Sequence, residues 1–340
     1  MKAIIMAGGE GRRLKAITGD IPKPMVSFMG RPMMEHIILL LKENGFEDIC
    51  VTLGYKANHI SDYFGSGDKL GVKLQYRIEN EPLGTAGSVK NCANFYGNDD
   101  FLVISGDVAC DFNLKELMAL HKEQSACASL ALYRSLEPLS YGLVLTDNED
   151  RINCFVEKPT WPRVITNLIN TGIYALSPKA MEQVPKNQSF DFGKNLFPLL
   201  LEKDQKMMGY EFDGYWCDVG SPLSYYKCCV DALEGKLKIH IPDAFYADRR
   251  LTGTDISAKG ISRDCACKSR AELMSALSQI TMDLGADFRN GIEISKPLYT
   301  LHISPLIRNS AVRLSVQSED VEFAKSLAYT TEELIKALNL

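Results

Sequence analysis

The sequence predicts an α/β protein: a mostly parallel sheet covered by helices on both faces, followed by a small α+β domain. Three observations predict it. Short β-branched runs alternate with amphipathic segments through the first third of the chain, the spacing that parallel βαβ units need. The run Phe101 to Ser105 is apolar up to its last residue, as a strand buried on both faces must be. Beyond residue 262 the pattern becomes a helix, three strands and a helix.

The first strand, Ala3 to Met6, runs into Gly8, Gly9 and Gly11, with Arg12, Arg13 and Lys15 just beyond and Lys23 between Pro22 and Pro24. Glycines let backbone N–H groups close around an anion, and the prolines hold the lysine stiffly. The stretch is neither a dinucleotide fingerprint, since Leu14 stands where the third glycine belongs, nor a Walker A loop, since no G-K-[ST] closes it. A phosphate-binding turn and a plain βα turn with solvated basic residues both fit this spacing.

Pro32 to Asn44 reads as a helix stopped by Asn44-Gly45, Ile49 to Leu53 as a strand, Lys56 to Phe64 as a helix and Val72 to Tyr76 as a strand. The loop Glu79 to Ser88, EPLGTAG at its centre, leads into a helix from Val89 to Phe95; its small residues suit a flat ring, or Thr85 simply caps the helix. The strand Phe101 to Ser105 ends in Gly106-Asp107, and an acidic residue just past a parallel strand sits where open α/β sheets place ligand chemistry. Asp107 is thus a candidate metal ligand, with Asp111 expected to cap the helix Asn113 to His121.

Ala126 to Tyr133 is a strand, and Gly142 to Thr146 with Arg151 to Val156 forms a hairpin that runs into Glu157-Lys158-Pro159. Asn170-Thr171-Gly172 interrupts the apolar strand Leu168 to Leu176, a break expected where a ligand meets a sheet. Phe190 to Leu201 is a helix. Asp218 then stands isolated in Tyr215-Trp-Cys-Asp-Val-Gly220. Two carboxylates from distant strands beside a basic turn suit Mg²⁺ on a nucleotide.

With 340 residues the chain has room for two domains, and a net charge of −5 excludes a generally basic nucleic-acid surface. No apolar run reaches membrane-spanning length. Ten cysteines are dilute over this length, and C-x-C at Cys265 and Cys267 lacks zinc spacing. Cytoplasmic location with reduced thiols is the expectation.

The segments AGGEGRRL, PKPM, EPLGTAG, SGD, YGLV, EKP, NTGIY and YWCDVG together resemble, in order and spacing, the sugar-1-phosphate nucleotidyltransferases, most closely the mannose-1-phosphate guanylyltransferase branch. The resemblance covers residues 1 to about 236 and implies a Rossmann-like, GT-A-like sheet. It implies that Gly8, Gly9, Gly11 and Arg13 hold a triphosphate with Lys23 near its α-phosphate, and that Leu83, Gly84 and Thr85 line the base pocket. Asp107 and Asp218 would bind Mg²⁺, Gly142, Glu157, Asn170 and Thr171 would meet the sugar, and Lys158 its phosphate. The implied reaction joins a sugar 1-phosphate to a nucleoside triphosphate, GTP and mannose 1-phosphate by resemblance, giving a nucleotide sugar and pyrophosphate. Arg13, Lys23 and Lys158 are its catalytic cations. Arg12 and Ala16 depart from the family, which usually has threonine and proline there.

Domain boundaries are expected at 1–236 for the transferase, 237–262 for a polar linker and 263–340 for the C-terminal domain. That last part resembles the C-terminal domain of phosphomannomutases, but Ser304 to Ser310 replaces the phosphate-gripping loop, so a packing or homo-oligomerising role is expected. Arg308 and Arg313 offer an anion site as the alternative. Two alternative functions stand beside it: a non-catalytic nucleotide- or nucleotide-sugar-binding regulatory subunit, and the same reaction with another hexose 1-phosphate and UTP, dTTP or ATP.

Overall fold

The structure, a computed structural model, describes residues 1–9, 11–242, 255–257, 260–306 and 310–338, with the backbone alone at residues 12, 16, 161 and 255–257. Two compact units divide the chain: residues 1–10, 21–25 and 32–218 form the first, and 11–20, 26–31 and 219–340 the second. In chain order two short strands, β2 (Ser27–Phe28) and β3 (Arg31–Pro32), separate β1 (Lys2–Ala7) from β4 (Asp48–Leu53).

The sheet of the first unit is built from β1, β4, β5 (Lys73–Ile78), β6 (Phe101–Ser105), β8 (Ala128–Arg134), β9 (Gly142–Thr146), β10 (Ile152–Glu157), β11 (Leu168–Leu176) and β12 (Met207–Glu211). Its order is β10-β9-β11-β6-β1-β4-β5, with β8 paired to β11 and β12 to β8. β4 and β6 flank β1 in parallel and β5 extends β4 in parallel. β11 runs against β6, β8 and β9, β12 runs parallel to β8, and β10 opposes β9. Only β10 and β11 therefore oppose the rest, and the α/β class that the sequence predicts is the one found.

Alternation along β1 explains the two-layer cover. Ala3, Ile5 and Ala7 face a core completed by α2 (Met33–Glu43), α3 (Ala57–Phe64) and α6 (Leu114–Glu123). Ile4 faces the opposite core, made with α4 (Gly84–Lys90), α5 (Ala93–Tyr96), α7 (Pro178–Glu182) and α8 (Phe197–Glu202). α2 ends as the sequence predicts: the Asn44 side chain donates to Leu40 O at 2.9 Å and Gly45 turns away at φ +82°.

A separate ribbon pairs β7 (Val108–Cys110) with β13 (Trp216–Asp218), antiparallel. Between β5 and β6 the sequence predicts one helix, Val89 to Phe95. The helix instead starts at Gly84, because Ala86 and Gly87 N–H groups both donate to Phe190 O at 2.9 Å and wind the small residues into its first turn. The expected helix from Phe190 divides into a π-helical turn, Phe192–Leu196, and α8.

The second unit carries a five-stranded antiparallel sheet in the order β14 (Asp255–Ser257), β15 (Gly260–Ala266), β18 (Ala311–Gln317), β17 (Tyr299–Pro305), β16 (Ile292–Lys296). α1 (Lys15–Thr18), α9 (Pro222–Leu233), α10 (Arg270–Thr281) and α11 (Val321–Leu338) belong to it. Leu273, Leu301, Leu314 and Leu327 sit in its core. β14 and β15 fall where the sequence reads as linker and loop, since their Ser, Asp and Arg residues mask the alternation; residues 243–254 and 258–259 of that segment lie outside the described residues. No helix among the described residues is long and apolar enough to cross a membrane.

Candidate active site

The carboxyl ends of β1, β4 and β6 meet through glycine. Gly106 N donates to Met6 O at 2.8 Å, and a side chain on Gly106 would start 2.8 Å from that same oxygen. A Cβ on Gly54 would likewise lie 2.8 Å from Gly8 O. These approaches explain why strand ends here read S-G-D and L-G-Y: no larger residue lets the chain leave the sheet so closely.

Past Gly106, Asp107 faces Lys23. The ammonium of Lys23, 8% exposed, donates to Asp107 Oδ2 at 2.5 Å and lies 3.6 Å from Asp218 Oδ1. The Ser105 hydroxyl donates to Asp107 Oδ1 at 2.7 Å. Burial pushes the Asp107 carboxyl up, but the Lys23 charge and its hydrogen bond, with that of Ser105, outweigh it and hold the group below its ordinary value. Lys23 opens a 3₁₀ turn, Lys23–Met25, between buried prolines, so the Pro-Lys-Pro clamp does present a stiffly held, sheltered cation.

Asp218 arrives by the β7–β13 ribbon, whose register sets it opposite Val108, next in chain to Asp107. Two anchors hold β13: Tyr215 N donates to Asp111 Oδ1 at 2.7 Å and Trp216 Nε1 to Thr171 O at 3.0 Å. The expected capping by Asp111 is corrected here. Asn113 caps α6, accepting from Glu116 N at 3.2 Å, and Asp111 is spent on the strand that carries Asp218. Asp107 is held by Lys23 and Ser105.

The EPLGTAG turn is locked to residues 190–192. Phe190 N donates to Leu83 O at 2.8 Å, Gly84 takes φ +69° with its Cβ direction blocked 2.8 Å away by Phe190 O, and Thr85 N donates to Asp191 Oδ1 at 3.1 Å. Thr85 does not cap α4; its hydroxyl accepts from Phe192 N at 2.9 Å. Glu79, just beyond β5, was not singled out from sequence. Its Oε2 accepts from Leu83 N at 3.3 Å, and its Oε1 lies 3.9 Å from where a Gly8 Cβ would be. That Oε1 is buried and has no hydrogen-bond partner among the described residues.

Glu157 ends β10 opposite Gly142, and its Oε2 is pressed between two glycines: a Cβ would lie 2.8 Å away from it on Gly142 and 2.4 Å away on Gly193. Burial raises the Glu157 pKa; Lys158 and Lys194 pull it down and Asp191 pushes it further up, and the net direction is upward. Lys158 is exposed in the left-handed region, φ +43°. On β11, Asn170 donates to the Tyr174 hydroxyl at 3.0 Å and accepts from Gly172 N, while the buried Thr171 hydroxyl donates to Ala131 O at 2.6 Å. Gly172, φ +79°, lies against Ser105, its Cβ direction 3.2 Å from Ser105 Cβ.

Lys23, Asp107 and Asp218 thus meet at one edge, with Gly172 beside Ser105, and Gly142 and Glu157 pack together. Thr171 turns its side chain into the core. Gly11 and Arg13 belong to the second unit, where Arg13 is exposed. The side chains of Arg12 and Ala16 and all of Arg308 lie outside the described residues. Arg313 already donates to Asp264, Nε to Oδ1 at 2.7 Å and a terminal nitrogen to Oδ2 at 2.9 Å, so its charge is matched within the sheet.

The profile of the nucleotidyl transferase family matches residues 2–235. A UTP–glucose-1-phosphate uridylyltransferase of Synechocystis is 33% identical over 272 residues, 76% of this chain and 70% of the relative. A mannose-1-phosphate guanylyltransferase of Mycobacterium tuberculosis is 33% identical over 234 residues, 68% of this chain and 65% of the relative. The crystal structure of HddC from Yersinia pseudotuberculosis complexed with GMP-PN superposes with a TM-score of 0.58 at 32% identity, over 67% of this chain and 97% of that one.

Proposed function

The chain belongs to the nucleotidyl transferase family as one of its sugar-1-phosphate nucleotidyltransferases, and on that premise we propose that it joins mannose 1-phosphate to GTP, releasing pyrophosphate and forming GDP-mannose. The observation that carries the reading is the Lys23 ammonium lying between Asp107 and Asp218 at the carboxyl edge of the sheet. Such an edge is where α/β sheets hold nucleotides.

A phosphate monoester arrives already ionised, so its oxygen attacks the α-phosphorus in line and no general base is needed. The chain's work is to position the reactants and neutralise charge. Lys23 stabilises the negative charge that builds on the α-phosphate. Gly8, Gly9, Gly11 and Arg13 take the remaining phosphates, and Lys158 the sugar's phosphate. Gly142, Asn170 and Glu157 hold the sugar, Glu157 as an acceptor for hydroxyl protons. Thr171 contributes through its backbone, because its hydroxyl is bound to Ala131 O.

Asp107 and Asp218 suit Mg²⁺: they are hard oxygen donors on fixed backbone. Mg²⁺ is commonly held by one or two carboxylates with substrate phosphates completing its shell. When bound, it supplies charge neutralisation on the triphosphate.

Glu79 is the candidate base contact. Its buried, unpartnered Oε1 beside Gly8 wants a donor. Guanine offers N1–H and N2–H there, and uracil and thymine one N3–H, so the choice of GTP rests on the resemblance and is decided by rates. Pyrophosphate release should be measured with GTP, UTP, dTTP and ATP, each against mannose 1-phosphate and glucose 1-phosphate. GTP with mannose 1-phosphate is expected to lead by about 100-fold, and Glu79→Gln to weaken use of the triphosphate, as loss of a matched buried acceptor does. A lead for UTP or dTTP would overturn the base assignment.

A further inference from the structure

One short stretch of the first unit, residues 190–194, touches both the turn assigned to the base and the residues assigned to the sugar. The π-helical turn Phe192–Leu196 meets α4 on one side and β10 on the other. All of these elements belong to the first unit.

Towards the base the contacts are polar. The backbone of Phe190 bonds Leu83, Ala86 and Gly87. Beside it Asp191 and Thr85 form a clamp: Asp191 Oδ1 accepts from Thr85 N at 3.1 Å and from the Thr85 hydroxyl at 3.3 Å, and that hydroxyl accepts from Phe192 N at 2.9 Å. The one hydroxyl proton is thus committed, and the Thr85 side chain has no donor left for a base. Towards the sugar the contacts are steric. Glu157 Oε2 fills the space where Gly193 would carry a Cβ. The buried Phe192 ring packs on the Tyr174 ring, centroids 4.9 Å apart, and the Tyr174 hydroxyl accepts from Asn170. The stretch is tied to itself as well: Leu196 N reaches back five residues to Asp191 O at 3.0 Å, and Asp191 N donates to Asn195 Oδ1 at 2.8 Å. Such π-type turns concentrate at functional sites.

We propose that residues 190–194 are one positioning element shared by the base and sugar pockets, with Asp191 and the Thr85 side chain as its clamp. A shift of this stretch moves the base turn and the seats of Glu157 and Asn170 together. Asp191 is a positioning residue that acts through Thr85 on the base turn and through Gly193 on Glu157, which rests on the assignment of Leu83 and Gly84 to the base and of Glu157 and Asn170 to the sugar.

The test is steady-state kinetics on the full chain, each substrate varied with the other saturating. Thr85→Val keeps the shape of the side chain and removes its hydroxyl. It is expected to raise KM for the triphosphate and, across the site, KM for the sugar 1-phosphate, each about 10-fold, since misplacing a positioned group by an ångström costs that order or more. Thr85→Ser, which keeps the hydroxyl, and Asp191→Asn, whose Oδ1 still accepts, should both stay within about twofold of the parent. Asp191→Ala should match Thr85→Val, and the double variant should add less than about twofold, because residues acting through one contact are not additive. Glu79→Gln alters the candidate base contact outside the clamp and should raise KM for the triphosphate alone. An unchanged sugar KM in Thr85→Val, effects that multiply in the double variant, or an equal rise of the sugar KM in Glu79→Gln would overturn the shared element while leaving the transferase reading intact. An inactive, non-binding parent would overturn both. Should Thr85→Val fail to fold, Thr85→Ala replaces it, with the same outcomes deciding.

Discussion

Carboxylates in the first unit meet two opposite environments. Asp107 stands against a buried ammonium and a serine hydroxyl, and ends below its ordinary pKa. Glu157 is pressed between two glycines with its lysines at longer range, and ends above. The residues are chemically alike, and burial pushes both in the same direction. What separates them is a cation in hydrogen-bond contact, which Asp107 has in Lys23 and for which Glu157 has only charges acting at a distance. The difference teaches how one cleft assigns tasks. A carboxylate that must stay ionised beside phosphates is given its cation in advance, and one that meets neutral hydroxyls is given a fitted, poorly hydrated seat.

Asp107→Asn breaks the comparison most forcefully. The substitution keeps the shape but removes the charge that balances Lys23, and kcat for pyrophosphate release should fall by about 10³-fold, the scale of losing a preorganised electrostatic contact. A rate within tenfold of the parent would mean that the pair with Lys23 is structural only.

The glycine seat is probed next. In Gly193→Ala the new methyl would start 2.4 Å from Glu157 Oε2, so the carboxylate must move. KM for the sugar 1-phosphate should rise by about 10- to 100-fold, with a stability loss of about 1–3 kcal/mol from overpacking in thermal unfolding. Gly9→Ala sharpens the contrast, because among the described residues its methyl meets no atom within 4 Å beyond its chain neighbours. Stability should be unchanged while KM for the triphosphate rises. Equal effects of both variants on both substrates would remove the distinction between a seat shaped for a side chain and a turn left open for a ligand.

The sheet was legible because β1 and β6 carry their burial in their composition, and Asp107 because it follows an apolar strand. The same rule applied to β5 points at Glu79, but Lys73 to Ile78 alternates polar and apolar residues and reads as an edge, so its end drew no attention. β7 and β13 left no trace, since three residues are too few to show a period. Asp111 therefore looked like a cap when it is an anchor. Thr171 illustrates another limit: sequence marks an interrupted strand without telling which of Asn170, Thr171 and Gly172 turns inward. Gly193 is missed for a related reason, because a glycine reserved for a carboxylate from a distant strand looks like any other. The segment 11–20 is contiguous with the glycine turn in sequence, and only the packing of the partly buried Ile17 against the second unit's core shows that it belongs there.

The smallest effect is the most discriminating, because it follows pH. A carboxyl whose folded pKa is raised costs stability once ionised, and that cost fades as pH falls through the folded value; for Asp107 the sign reverses, its stabilisation being present above the ordinary carboxylate pKa of about 3.9 and lost as pH falls through its depressed folded value. Glu157→Gln keeps the size of the side chain and removes its titration. The melting temperature at neutral pH should therefore rise slightly, with the gain vanishing in acid. If ionised Glu157 accepts protons from sugar hydroxyls, kcat/KM for the sugar 1-phosphate falls in the parent as pH drops through the raised pKa, a limb lying above the ordinary carboxylate range. In Glu157→Gln the plateau should drop about tenfold and that limb disappear, while the limb due to Asp107, further into acid, remains. A limb that survives unchanged in Glu157→Gln would assign the titration to another group and dissolve the contrast between the two carboxylates.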